Sequence, residues 1–369
     1  MKKSVLLLFI GSLLPGIGFT QSEVSFFILS GRENAHKLAN AYFNPLGKSM
    51  YNNLGNGWMQ GGAMLNAGQV QLRLQASATF FPAEDQQFDL SALGLSQHVA
   101  VAEGEAILTP TAIGDHINGV VLEVKAESPA DGEEIPLATF STPDGMGVPL
   151  LPMASAQLNV GVPYKTELML RALPKVNFSA GDTDYTNSLW GLGIRHVLSQ
   201  WLSEETLPFD IIIALAYGQQ DAKGKPKIIG SWPHTNGQEI ERTPEQQAQQ
   251  IYNSQELHIA VGAWSTELLL SKKLSSFTLY TGFNYTTGVM EVISEGIYPR
   301  LDVRSSTEAP YYAYFFHDEE DPLKLRTSSA QLSFTSGAAY QLGILSLKLE
   351  GSLGRYKNIT AGLGVNILR

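Results

Sequence analysis

In the stretch QVQLRLQASATFFP, which begins at Gln69, apolar Val70, Leu72, Leu74, Ala76, Ala78 and Phe80 alternate with Gln71, Arg73, Gln75, Ser77 and Thr79. Side chains on a strand point to opposite faces in turn, so this segment has one apolar and one polar face. A soluble sandwich turns such an apolar face to a core and the polar face to water. A membrane barrel turns the apolar face to lipid and the polar face to its lumen. The rest of the sequence bears on which of the two applies.

The alternation recurs. Leu168, Leu170 and Ala172 oppose Glu167, Met169 and Arg171, and Leu345, Leu347, Leu349 and Leu353 oppose Ser346, Lys348, Glu350 and Ser352. Ile359, Ala361, Leu363, Val365 and Ile367 then oppose Thr360, Gly362, Gly364 and Asn366, so the C-terminal strands read as an antiparallel meander. Strands are expected at 69–80, 97–104, 118–126, 154–162, 165–174, 188–201, 208–218, 254–266, 275–287, 328–340, 343–354 and 357–368. Past the third, long connections (127–153, 175–187, 219–253, 288–327) alternate with short ones (161–166, 203–207, 271–274, 341–343), as in an outer-membrane barrel with short periplasmic turns and long outer loops. About 12 residues at roughly 3.3 Å each, tilted, cross an apolar band of about 25 Å. The reading is all-β: a transmembrane antiparallel barrel of about 12 strands, or about 14 if 288–327 folds as a further hairpin.

Charge placement agrees with lipid on the apolar side. A Lys or Arg aimed at mid-bilayer lipid costs about 2–4 kcal/mol, and Arg73, Glu123, Lys125, Glu167, Arg171, Arg195, Lys348 and Glu350 all share a face with polar or small residues. Six of these, Arg73, Glu167, Arg171, Arg195, Lys348 and Glu350, are the expected lumen-lining residues. Their mixed signs suit internal ion pairs that fill the bore; a selectivity filter is the sharper reading. His196, on the side of Trp190, Leu192 and Ile194, breaks the pattern near a strand end. Phe80, Phe81, Trp190, Trp201, Tyr217, Trp264, Tyr285 and Tyr340 cluster near strand ends, as girdle aromatics do.

The chain opens MKKSVLLLFIGSLLPGIGFTQ, with two lysines, an apolar run and small residues before Gln21, which reads as a signal peptide over 1–20. After it no run reaches the roughly 18 apolar residues that a membrane helix needs. Charged residues are only 16% of the chain, and there is no cysteine, hence neither a disulfide framework nor a lipid-modified N-terminus. A net charge of −10 argues against a nucleic-acid partner.

No nucleophile elbow, metal-spaced histidine pair or phosphate-binding glycine loop is present, so the expectation is no enzyme, no catalytic residue, no metal and no cofactor. The run His317 to Asp321 lacks the glycine and alternate ligand spacing of a calcium loop and reads as a solvated loop. Before the first strand, Ser30-Gly31-Arg32-Glu33 reads as a capping box for a helix with Ala35, Leu38, Ala39 and Tyr42 on one face. Asn44-Pro45 offers an N-cap and first-turn proline for a second short helix with Leu46, Met50 and Leu54. This segment reads either as a helix packed under the barrel or as a hatch inside it. The division is then 1–20 signal peptide, 21–66 helical hatch and 67–369 barrel.

ENAHKLANAYFNPLGKSMYNNLGNGW (33–58), TELMLRALP (166–174), LWGLGIRHVLSQW (189–201) and the terminal AGLGVNILR resemble an uncharacterised family of Bacteroidota outer-membrane barrels. More distantly, Asn44-Pro45-Leu46 is similar to the Asn-Pro-Ala turn in the hatch of the long-chain fatty-acid transporter family, with Leu46 in place of Ala. That resemblance implies a barrel importing hydrophobic molecules, with Leu38, Tyr42, Asn44, Pro45 and Leu46 in the hatch. The final residue is Arg369 rather than the aromatic that many such barrels present to the assembly machinery. The expectation is therefore a Gram-negative outer-membrane protein partnered by outer-membrane lipid and, in biogenesis, by the barrel-assembly machinery. Its expected role is passive passage of a small hydrophobic ligand through a plugged lumen; the alternative is a structural or surface-interaction protein that binds through its long loops.

Overall fold

The computed structural model describes residues 25–59, 64–180, 183–202, 207–226, 240–308 and 310–368; the expected signal peptide, most of the 203–207 turn and Arg369 lie outside the described residues. Helix α1 (Arg32–Gly55) comes first. Strand β1 (Val70–Phe80) follows, then five shorter strands: β2 (Gln87–Asp89), β3 (Val99–Val101), β4 (Leu108–Pro110), β5 (Val121–Glu127) and β6 (Glu134–Ser141). Next come β7 (Leu150–Val162), β8 (Thr166–Ala180), β9 (Thr183–Val197), β10 (Asp210–Pro226), β11 (Ile240–Glu241) and a short helix α2 (Pro244–Ala248). The chain ends with β12 (Glu256–Leu274), β13 (Phe277–Glu295), β14 (Ile297–Ser305), β15 (Tyr312–Glu320), β16 (Lys324–Leu342), β17 (Leu345–Leu353) and β18 (Lys357–Leu368).

Ten strands close a barrel in the order β1-β18-β17-β16-β13-β12-β10-β9-β8-β7, and β1 pairs antiparallel with both β18 and β7. The expected twelve, or fourteen, becomes ten. Segments 97–104 and 118–126 contain strands, but these are β3 and β5, which pair with each other, and β5 with β6, in a separate sheet. At three and seven residues they fall short of the roughly 9–11 that cross a bilayer. Glu123 and Lys125, on β5, are therefore outside the bore. The 288–327 region does form a hairpin, β14 with β15, but it joins β11 in another sheet off the barrel. The expected long connection 175–187 is instead taken up by the extended ends of β8 and β9.

The outward face explains why the barrel suits lipid. Leu72, Leu74, Leu168, Leu170, Leu192, Ile194, Leu215, Leu268, Phe283, Leu332, Leu349 and Leu363 are all exposed on it. One rim of this belt carries a row of rings across neighbouring strands, Trp190 to Tyr217 at 5.7 Å and Tyr217 to Trp264 at 5.0 Å. The other rim, at the short turns, has Tyr164 stacked on Trp201 and Phe277 tilted against Tyr340 at 4.6 Å. His196 sits at that rim, 2.7 Å from Thr166 Oγ1. Phe81 is buried in the core instead of joining a girdle. Beyond the upper rim β10, β12, β13 and β16 continue to 17–19 residues, and their outward face turns charged. There Lys223 meets Glu256 and Glu295, and His258 lies between Asp221 and Glu295.

The described parts of the long insertions lie at this upper end, where they form a cap whose two three-stranded sheets are tied by the Tyr314 hydroxyl donating to the Pro136 carbonyl. The cap and α1 share one apolar cluster: Phe27, Leu38, Tyr42 and Leu46 pack with Val99, Ile113, Leu122, Val124, Phe140, Leu301 and Phe316. The same cluster runs down into the barrel mouth through Leu151, Met153, Leu173, Ile259, Val261 and Val292. The apolar alternation of β5 is thus satisfied by a core, not by lipid.

Helix α1 is one 24-residue helix, not two short ones, and Pro45 lies inside it. Proline removes one backbone donor, while packing of buried residues on every side keeps the helix continuous. The expected capping box does not form: Gly31, at φ 82°, is the N-cap, and the Ser30 hydroxyl donates to the Phe27 carbonyl at 2.6 Å. Tyr42 reaches the cap through its hydroxyl, which donates to the Asp144 carbonyl.

Candidate functional site

The stopper is residues 52–59 and 64–66, which lie in the bore between the end of α1 and the start of β1. Every strand of the barrel touches the chain between Asn52 and Leu65. Asn52 Nδ2 donates to Thr79 on β1, and Asn53 Nδ2 to the Leu151 carbonyl on β7. The Gly55 carbonyl accepts from Ser265 Oγ at 2.8 Å on β12 and from Asn284 Nδ2 at 3.0 Å on β13. Arg171 on β8 donates to the carbonyls of Leu54 and Asn56, and Arg195 on β9 to that of Met59. Glu350 on β17 accepts from the Gly57 amide at 3.0 Å, Gln331 on β16 donates to Asn52, and Asn358 on β18 donates to Asn53. On β10, Gly218 lies against Leu54 and Trp58.

These bonds follow from a chain that leaves its helix inside a barrel. The last carbonyls of a helix have no partner within it, and where they are buried in the bore the wall supplies the donors. Trp58 is the widest part of the stopper. Its indole N–H donates to Leu54 O, the Arg171 guanidinium stacks 3.8 Å from its ring centre, and it seats on Gly191 and Gly193 of β9. A Cβ at Gly191 would stand 2.6 Å from the Tyr217 carbonyl and 2.8 Å from the indole, so glycine there is a condition of the fit.

All six sequence-predicted lumen residues lie in the bore, and each is buried. Glu167 and Arg195 form a two-pronged pair at 2.7 and 3.0 Å, and Glu167 also accepts from the Leu65 amide and Asn159. Arg171 joins Gln157 at 3.1 Å, and Arg73 donates to the Trp58 carbonyl. Two groups were missed from sequence. Glu267 of β12 is buried, with neither carboxylate oxygen hydrogen-bonded among the described residues, and Tyr280 of β13 donates to Glu350 at 3.1 Å. Glu267 shares its face with Ser265, but the strand expected at 254–266 stops one residue short of it. Of the hatch residues, Leu38, Tyr42, Pro45 and Leu46 are buried and Asn44 half-buried, all above the waist formed by Gly55 to Trp58.

Below the waist, at the short-turn end, two adjoining cavities of about 260 and 230 Å³ flank Met64, Leu65 and Asn66. The His317 to Asp321 run, expected as a solvated loop, is instead the end of β15 and the turn after it: Asp318 accepts from Tyr252 and Gln246, and Asp321 accepts from the Gly296 amide. Among the described residues no group of three or more His, Asp or Glu is placed to hold a metal ion.

No curated protein matches the sequence. In structure the chain is similar to the translocator domain of the autotransporter NalP from Neisseria meningitidis, at 10% identity over 89% of this chain and 99% of that one, TM-score 0.36. It is also similar to the transport unit of the autotransporter AIDA-I from Escherichia coli (11%, 87% and 98%, TM-score 0.27) and to a BenF-like porin from Pseudomonas fluorescens (9%, 84% and 100%, TM-score 0.15). These neighbours are barrels, and none of them is a fatty-acid transporter. A family model spans residues 1–367, so the chain belongs to the Family of unknown function (DUF6588).

Proposed function

We propose that this protein is an outer-membrane barrel sealed by its own N-terminal chain, which serves to anchor and present the cap at the cell surface as a structural or binding module. The observation that carries this reading is that all ten strands contact the stopper while helix α1, which leads into it, shares one core with the cap. Each hydrogen bond to the stopper contributes about 1 kcal/mol net, and a buried charge left without its partner costs about 3–5 kcal/mol. A ligand bound at millimolar affinity supplies only about 4 kcal/mol, which is less than withdrawal of the stopper demands.

Passage of a small hydrophobic molecule is the second reading, favoured by the cavities that reach the stopper from below. Proteoliposomes containing the intact chain distinguish the two. The sealed anchor is expected to pass neither ions nor a small apolar fluorophore, whereas a variant lacking 30–56 that still inserts should conduct in planar bilayers. Entry of the fluorophore through the intact chain would replace the anchor reading with transport.

A further inference from the structure

The smaller cavity has an unbalanced lining. Lys348, Arg195 and Lys273 contribute to it together with Gln71, Ser346 and Asn366, and among the described residues no Asp or Glu does. Arg195 is already committed to Glu167 and the Met59 carbonyl. Lys348 is different. It is only 7% exposed, yet its one hydrogen bond among the described residues runs from Nζ to the neutral Gln71 Oε1 at 3.2 Å, and no carboxylate lies within 4.0 Å of it there. Buried ammonium groups are ordinarily paired, because removal of the charge from water is costly.

The pocket has the remaining parts of an anion site. Gln71 is held in place by donating to Asn366 Oδ1 at 2.8 Å, which orients its carbonyl oxygen toward Lys348. Ser346 Oγ and Asn366 border the same space, and the exposed Lys273 stands at its mouth. At roughly 30 Å³ per water, the 230 Å³ volume suits a small oxyanion with part of its hydration shell.

We propose that this vestibule at the short-turn end is a binding site for a small oxyanion, a carboxylate or a phosphate, with Lys348 as its central cation and Lys273 as its gatepost. The site is independent of whether the stopper moves. The test is calorimetric titration of the full chain in phosphatidylcholine nanodiscs with inorganic phosphate and, separately, acetate. One saturable site for at least one of them is expected. Lys348→Met should weaken it tenfold or more, Lys273→Gln a few-fold, and Lys348→Arg should restore affinity to within a few-fold. Heat-modifiable gel mobility verifies that each variant is folded. Repeating the titration in phosphatidylglycerol nanodiscs separates two sources. A fall in phosphate affinity there identifies a lipid headgroup as occupant; unchanged affinity identifies a free periplasmic anion. Absence of saturable binding to the wild-type chain, or equal affinity in folded Lys348→Met, overturns the proposal.

Discussion

At the scale of single residues the bore is decided by pairing. Glu167 and Arg195 sit opposite one another on adjacent strands and together fix the lower stopper through Leu65 and Met59. Removing one partner leaves the other buried and unpaired, which costs about 3–5 kcal/mol, whereas replacing both with apolar groups is often near neutral. Arg195→Met should therefore lower the temperature of the heat-modifiable mobility shift markedly. The double variant Glu167→Met/Arg195→Met should recover much of the loss. A single variant as heat-resistant as wild type would show that the pair does not hold the wall.

At the scale of elements the stopper depends on close approach as much as on polar bonds. Gly288 of β13 lies under Tyr51 of α1, where a Cβ would stand 2.5 Å from Tyr51 Cβ and Cγ. Those atoms belong to the root of the side chain, so the helix itself must shift. Overpacking of this kind costs about 1–3 kcal/mol. Gly288→Val is expected to insert normally, because its face is not the lipid face, and to raise single-channel leak by tilting α1 off β13. An inserted variant that stays as tight as wild type would mean that the seal lies elsewhere. By contrast, the collar pairs around Lys223 are partly solvated and contribute about 0–1 kcal/mol each.

At the scale of the whole molecule the path of the chain sets the orientation of everything else. Among the described residues, α1 packs under the cap at its start and enters the bore at its end, and Leu65 lies near the short-turn end where β1 begins, so the cap lies on one side of the belt and the vestibule on the other. The proposed orientation, long loops outward as in outer-membrane barrels, puts cap positions toward the medium. The chain has no cysteine, so single cysteines report cleanly. Ala130→Cys, exposed on the cap, should react with a membrane-impermeant maleimide on intact cells, and Tyr164→Cys, at the turns, should react only after lysis. The opposite pattern would invert the barrel and place the Lys348 vestibule outside.

The sequence by itself determined the wall. Alternation at period two, long strand spacing and the exclusion of charge from one face leave few architectures, and the six charges could face only inward because lipid cannot solvate them. It could not determine how many alternating segments belong to that wall. Leu122 and Val124 against a soluble core read the same as Leu168 and Leu170 against lipid, since both surroundings are apolar; only pairing partners and strand length separate them. Nor could it locate the helix. Its capping signals were local, but its continuity through Pro45 and its seat in the bore arise from contacts with strands up to about three hundred residues away, Asn53 with Asn358 among them. Tertiary structure alone decided that the polar face of this barrel holds its own chain, because the last turn of α1 is buried in the bore and its carbonyls find their donors on the wall.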